Sequence, residues 1–114
     1  MQLEYKVWLE QNGKAFGEGP YNLLLGVSQT GSLRKAAFGM GMSYNQAWRL
    51  IKRLEGRLGF KLIERRVGGP LGGGSSVTSQ ARQMMESYNS FMVEVQQALE
   101  HLYKKHFETT NQSE

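Results

Sequence analysis

Between Ser43 and Leu58 the chain places Asn45 beside Gln46, Arg49 one turn on, and then Lys52, Arg53 and Arg57. A carboxamide holds a donor and an acceptor in one plane, and a guanidinium holds a fork of donors. These geometries match the adenine and guanine edges exposed in a duplex major groove. Charge is concentrated on the same stretch. Residues Gly31 to Arg82 carry ten Lys/Arg against Glu55 and Glu64, net +8, whereas the segments before and after carry −1 and −3. A basic centre between acidic ends is the electrostatic footprint of a nucleic-acid reader. A solvated basic surface is the plainer reading, and the helix pattern decides between them.

Other chemistry finds little support. There is no cysteine, which removes disulfides, thiolate catalysis and Cys-based zinc sites together. His101 and His106 lie five apart, a spacing that does not stack them on one helix face, and no acidic cluster accompanies them. Glu55 and Glu64 stand alone among positive charges and read as local ion-pair partners. No nucleophile, base and orienter form a set. The Gly68 to Gly74 run resembles a phosphate loop, but that motif needs Lys then Ser/Thr after its last glycine. Here Gly74 or Ser75 falls where the lysine belongs. These residues imply no enzyme, no cofactor and no metal.

The elements that would position the polar residues follow from spacing. Ser43 with Gln46 three residues on is a capping-box pattern. Ala47, Ile51, Leu54 and Leu58 then recur at i, i+4, i+7 and i+11, one buried stripe. Gly59 suits a left-handed helix terminus. Trp48 lies at the stripe's edge and reads as core. Ahead of this helix, Ser32 caps a segment from Leu33 to Met40 whose Leu33, Ala36, Ala37 and Met40 share a face. Gly39-Met-Gly-Met42 makes the turn between the two. This arrangement is a helix-turn-helix, in which the N-terminal end of the second helix enters the groove and the first helix braces across the backbone. Ser43, Tyr44, Asn45, Gln46 and Arg49 are then the groove-facing residues, while Ser32, Arg34, Lys52 and Arg53 meet phosphates.

Upstream, Glu4 to Glu10 alternates, with Tyr5, Val7 and Leu9 on one side, and Asn12-Gly13 suits a tight hairpin returning over Lys14 to Gly17. Gly19-Pro20 opens a helix with Tyr21, Leu24, Leu25 and Val27 facing the core, stopped by Gly31. Downstream, Phe60 to Val67, a glycine loop and Ser75 to Val77 read as strand, tip and strand. That is a wing, with Arg65 and Arg66 suited to a phosphate or a minor groove.

Thr78 caps a last helix predicted to run to about Phe107. Ala81, Met84 or Met85, Tyr88, Met92, Val95, Leu99, Leu102 and His106 keep three-and-four spacing for roughly four heptads. A helix so long outruns a domain of this size. Met85, Tyr88, Met92, Val95, Leu99 and Leu102 are therefore predicted to pair with a second copy, with the first two turns also covering the chain's own core.

The runs GSLRKAAFGMGMSYNQAWRLIKRLE and LIERRVGGPLGGGSSVTSQAR resemble the N-terminal winged-helix domain of the molybdate-dependent transcriptional regulator ModE, itself related to the LysR-type DNA-binding domain. The similarity covers about Lys6 to Phe107, and its most specific parts are Met42 to Trp48 and the Glu-Arg-Arg-x-Gly-Gly wing. It implies a dimeric prokaryotic DNA-binding protein that pairs through the last helix and contacts DNA with the second helix and the wing. Two features depart from the pattern. Pro70-Leu71 stands where that family tends to have a basic residue, so a phosphate contact at the wing tip does not carry over. The family's molybdate-binding domains have no matching residues in this sequence, so molybdate sensing does not carry over either.

The reading is a mainly α (α+β) fold: residues 1–77 a winged helix-turn-helix with an N-terminal β-hairpin, 78–107 a long dimerisation helix, 108–114 a frayed polar tail. Its expected partners are double-stranded DNA, a second copy and a separate sensor protein. No apolar run approaches the ~18 residues that span a bilayer, and no signal-peptide pattern opens the chain, so a cytoplasmic, membrane-free protein is expected. The function expected is sequence-specific transcriptional regulation, linked to molybdenum or other oxyanion metabolism. The rival is an interaction module whose long helix engages a sensor or a full-length regulator. Direct oxyanion binding by the glycine loop is a third alternative.

Overall fold

The helix that carries the polar cluster begins where Ser43 predicts. In the computed structural model, which describes residues 1–67 and 74–108, the Ser43 hydroxyl accepts from the Gln46 amide at 3.1 Å and the Gln46 side chain accepts from the Ser43 amide at 2.9 Å. This closed capping box starts α3 (Tyr44–Leu58), and Gly59, at φ 86°, ends it. Ala47, Ile51 and Leu54 are buried along one face and Leu58 is half-buried. α2 (Leu33–Gly39) is likewise capped by the Ser32 side chain, which accepts from the Lys35 amide. Met40 is the C-terminal cap and is 39% exposed, so it leaves the face assigned to it. The last helical turn ends one residue earlier and swings its side chain out.

α1 (Glu18–Thr30) buries Leu23, Leu24 and Val27, with Tyr21 and Leu25 packed at the margin. Leu23, outside the predicted stripe, is fully buried because α1 has neighbours on two sides. α1 and α2 approach so closely at Gly26 that a Cβ there would lie 2.8 Å from the Ala36 Cβ. Gly31, at φ 71°, turns the chain between them.

β1 (Trp8–Glu10) and β2 (Lys14–Gly17) form the antiparallel hairpin, with Asn12 at φ 58° and Gly13 at φ 117°. The first strand is shorter than the alternation from Glu4 predicts, and all three of its residues are exposed. The reason is the partner: Trp8 pairs with Gly17, and α1 begins at Glu18, so nothing remains for Tyr5 to Val7 to pair with. The burial comes from β2, through Ala15 and Phe16.

The second hairpin joins β3 (Ile63–Arg66) to β4 (Gly74–Val77), from Ile63 opposite Val77 to Arg66 opposite Gly74. It anchors the predicted wing, with a shorter first strand than expected; the glycine tip and Pro70-Leu71 lie outside the described residues. It is tied to the rest of the fold at several points. The Ser75 amide donates to the Gly31 carbonyl at 2.8 Å, and the Thr78 hydroxyl donates to the Lys61 carbonyl at 2.7 Å.

α4 (Ser79–Tyr103) starts at the Thr78 cap and gives way to a single wider π-turn over Lys104–Glu108. At 1.5 Å per residue it is about 37 Å long. The core covers about its first half: Ala81, Met85 and Tyr88 are buried, and Met84 and Met92 pack at the core's edge. The chain's first residues are pinned along it. The Tyr88 hydroxyl donates to the Val7 carbonyl at 3.0 Å and the Tyr103 hydroxyl to the Met1 carbonyl at 2.6 Å. Met85 and Tyr88, at 8% and 6% exposure, were assigned above to pairing with a second copy. The subunit's own core uses them instead: the Tyr88 ring packs edge-on against Phe16, 5.4 Å between centroids. Burial and then the nearby Glu18 carboxylate push the Tyr88 phenol above its ordinary range.

Candidate nucleic-acid interface

Of the residues named from the sequence, α3 presents Asn45 and Arg49 to solvent, one turn apart at its N-terminal end. Neither side chain has a hydrogen-bond or ion-pair partner among the described residues. Both keep their full complement of donors and acceptors for a ligand. Gln46 does not. Its carbonyl oxygen is held by the Ser43 amide, which fixes the plane of the carboxamide. A two-bond contact to adenine needs that oxygen and the NH₂ together, so Gln46 is a helix cap first. Ser43 and Ser32 are caps in the same way.

Tyr44 is also engaged within the subunit. It is half-buried and stacked with Trp48 one turn on, 6.4 Å between centroids and 14° between planes. Cations from three elements surround this pair. The Arg34 guanidinium of α2 lies 4.6 Å from the Tyr44 centroid. The Lys52 ammonium of α3 lies 4.4 Å from the Trp48 centroid, and the Arg65 guanidinium of β3 lies 5.3 Å from it. Arg65 also donates to the Tyr44 hydroxyl at 2.7 Å, joining the wing to the start of α3. Lys61 and Glu64 line a shallow hollow with Trp48, Lys52 and Arg65. The sequence signal for the pair was its i, i+4 spacing, which stacks two side chains on a helix.

Glu55, at the inner edge of this flank, does more than offset charge. Its carboxylate accepts from the Leu62 amide at 2.7 Å and more weakly from the Ile63 amide at 3.4 Å, while pairing with Lys52 at 3.2 Å. It thereby fixes the first strand of the wing to α3. Arg66 reaches the other way, with its guanidinium against the Gly31 turn, 2.7 Å from where a Cβ on Gly31 would stand.

Arg53 and Arg57 lie on the far flank. They line a groove of about 790 Å³ with Trp8, Lys14, Tyr21 and Met92, between the first hairpin, α3 and α4. Arg57 donates to the Lys14 carbonyl, and its own carbonyl accepts from Gln11. The structure therefore gathers Arg34, Lys52 and Arg65 around the Tyr44–Trp48 pair, while Arg53, exposed one turn on from Arg49, also borders the groove. Among the described residues no group of His, Cys, Asp or Glu could hold a metal ion, and no helix is long and apolar enough to cross a membrane.

Comparison with known proteins agrees with this geometry. Residues 21–82, which run from α1 into the start of α4, match the family described as bacterial regulatory helix-turn-helix protein, lysR family. The molybdenum transport protein ModE of Azotobacter vinelandii is 31% identical over 98 residues, covering 86% of this chain and 36% of that protein. The DNA-binding transcriptional dual regulator ModE of Escherichia coli K12 is 30% identical over 98 residues, with 85% and 37% covered. The molybdenum-pterin-binding protein MopB of Rhodobacter capsulatus is 30% identical over 84 residues, with 74% and 31% covered. The chain thus spans about a third of the length of these curated relatives. Among solved structures, the CbnR DNA-binding domain in its complex with DNA superposes with a TM-score of 0.56 at 18% identity, over 75% of this chain and 92% of that one. That likeness is one of fold.

Proposed function

The chain belongs to the lysR family of bacterial regulatory helix-turn-helix proteins, and from that premise we propose that it is a cytoplasmic homodimer that regulates transcription by reading a two-fold DNA site. The observation that carries this reading is the uncommitted state of Asn45 and Arg49 at the open end of α3, flanked by Arg34, Lys52 and Arg65. Asn45 and Arg49 read base edges, the three cations meet phosphates, and Arg66 and Ser32 approach the backbone from the α1–α2 turn.

Dimerisation falls to the part of α4 beyond its own core. Val95 and Leu99 are half-buried there, with Met92 at the boundary, and Leu102 is exposed, as is Phe91 three turns earlier. A second copy covers this stripe, and two-fold pairing sets the half-sites about one helical turn (~34 Å, ~10 bp) apart or a multiple of it. The names of the ModE relatives support a regulatory link to molybdenum or another oxyanion.

Selection of bound duplexes from a randomised pool, with sedimentation of the free protein, tests the proposal. Enrichment of an inverted repeat, together with a dimer that Leu99→Glu splits, is the expected result. Chromatin immunoprecipitation tests the metabolic link: bound sites beside molybdenum transport genes are expected. The exposed Phe91 and Leu102 on the open side of α4 favour a second reading, a module that pairs with a separate sensor or a full-length regulator. No enriched sequence, together with a salt-resistant protein complex, would establish that reading instead.

A further inference from the structure

Three positive groups around one small pair of rings need a reason, because like charges that lack a counter-charge separate in water. Glu55 neutralises Lys52 alone. Glu64 borders the hollow beside Trp48 but forms no ion pair with Lys52 or Arg65. The rings supply the direct contacts: Tyr44 and Trp48 are stacked, and Arg34, Lys52 and Arg65 each lie over a ring face, 4.6, 4.4 and 5.3 Å from its centroid. At exposed sites each such contact is worth roughly two- to fivefold in equilibrium. Arg65 is held a second time through the Tyr44 hydroxyl.

We propose that the Tyr44–Trp48 stack is a positioning platform, gathering Arg34, Lys52 and Arg65 from α2, α3 and the wing into one preformed row of cations for a duplex backbone. The inference rests on the DNA-binding reading and adds to it. Tyr44 and Trp48 touch no base; they act through the cations they hold. Ordering three long side chains during folding removes that entropic cost from the binding step. The Arg65–Tyr44 bond makes the wing and the recognition helix approach DNA as one piece. The stack therefore governs the sequence-independent, salt-sensitive part of affinity and leaves base preference to Asn45 and Arg49.

Fluorescence anisotropy of the full chain on a selected duplex and on a scrambled duplex, across a salt series, tests this. Trp48→Leu is expected to weaken both complexes about tenfold. It should also flatten the plot of log K against log salt by about one to two phosphates' worth, each ~0.9 in slope. Trp48→Phe, which keeps a ring face, should recover most of both. Tyr44→Phe removes only the hydroxyl and should cost roughly two- to fivefold on each duplex. Loss confined to the selected duplex would overturn the proposal, because a ring would then be reading a base. Unchanged affinity, or lost affinity at unchanged slope, would also overturn it and leave the rings as packing.

If circular dichroism shows Trp48→Leu unfolded, a double-mutant cycle of Tyr44→Phe with Arg65→Gln decides. Coupling of about threefold supports the platform, and strict additivity overturns it. If the unmodified protein binds neither duplex, the DNA-binding reading itself fails, and that result is seen before any variant is made.

Discussion

The two flanks of α3 are written in the same residues and behave differently. Facing the wing, Lys52 and Arg65 rest on Trp48, Lys52 also paired with Glu55 and Arg65 bonded to the Tyr44 hydroxyl, and Arg34 joins them over Tyr44. Facing the first hairpin, Arg57 gives a guanidinium donor to the Lys14 carbonyl, and Arg53 lines the groove toward α4. A sequence count credits all five cations equally to a nucleic-acid surface. The structure separates them: Arg57 bonds a carbonyl of the first hairpin, Arg34, Lys52 and Arg65 lie over rings, and Arg53 has no hydrogen-bond partner among the described residues. An arginine that satisfies a carbonyl inside the subunit contributes to the fold, whereas one stacked on a ring keeps its donors for an anion.

Four substitutions sharpen or break that contrast. The largest effect is expected from Glu55→Ala, which strips the Leu62 and Ile63 amides of their acceptor. Loss of a charge-assisted cap at a part-buried site should cost about 3 kcal/mol in thermal or urea unfolding. Affinity for scrambled DNA should hold or rise, since Lys52 is released. If instead DNA binding falls while stability holds, Glu55 belongs to the interface and the contrast fails. Next, Arg49→Ala should cost ~1–3 kcal/mol of binding and relax preference at one base position, with stability unchanged. Equal loss on selected and scrambled duplexes would place Arg49 on phosphate.

Arg57→Ala should do the reverse. Unfolding should show a loss of about 1 kcal/mol from the Lys14 contact, and the salt dependence of DNA binding should not move. The smallest effect concerns Tyr88, whose phenol is shifted upward, first by burial and then by Glu18. An acid whose folded value exceeds its unfolded value of ~10 stabilises fully below that pH and loses the contribution as pH rises beyond it. Alkaline unfolding should therefore steepen above about pH 10 in the parent protein. Tyr88→Phe, less stable near neutrality for want of the Val7 bond, should show the flatter profile.

How far the sequence carried these conclusions depends on the range of the interaction. Caps and turns were legible because their partners lie within four residues: Ser32, Ser43 with Gln46, Gly31, Gly59 and Thr78 all act where their local pattern places them. The buried stripe of α3 was legible for the same reason. What could not be read were contacts closed across the fold. Glu55 meets Leu62 only once the chain doubles back after Gly59, Arg65 finds Tyr44 from 21 positions away, and Tyr88 finds Val7 from 81. The short first strand is a similar case, since its length is set by where α1 begins. Heptad spacing in α4 marks an apolar stripe but does not say which chain covers it, and here Met85 and Tyr88 are taken by the subunit itself.

The opening residues deserve a last consequence. Tied at Met1 to Tyr103 and at Val7 to Tyr88, they lie like a splint along some fifteen residues, about 22 Å, of the long helix. One side of that rod is already spoken for by its own chain. In the dimer proposed above, a second rod would settle into the sector left open, so the leading peptide, remote from any base pair, would help set the angle at which two reading heads face their double helix.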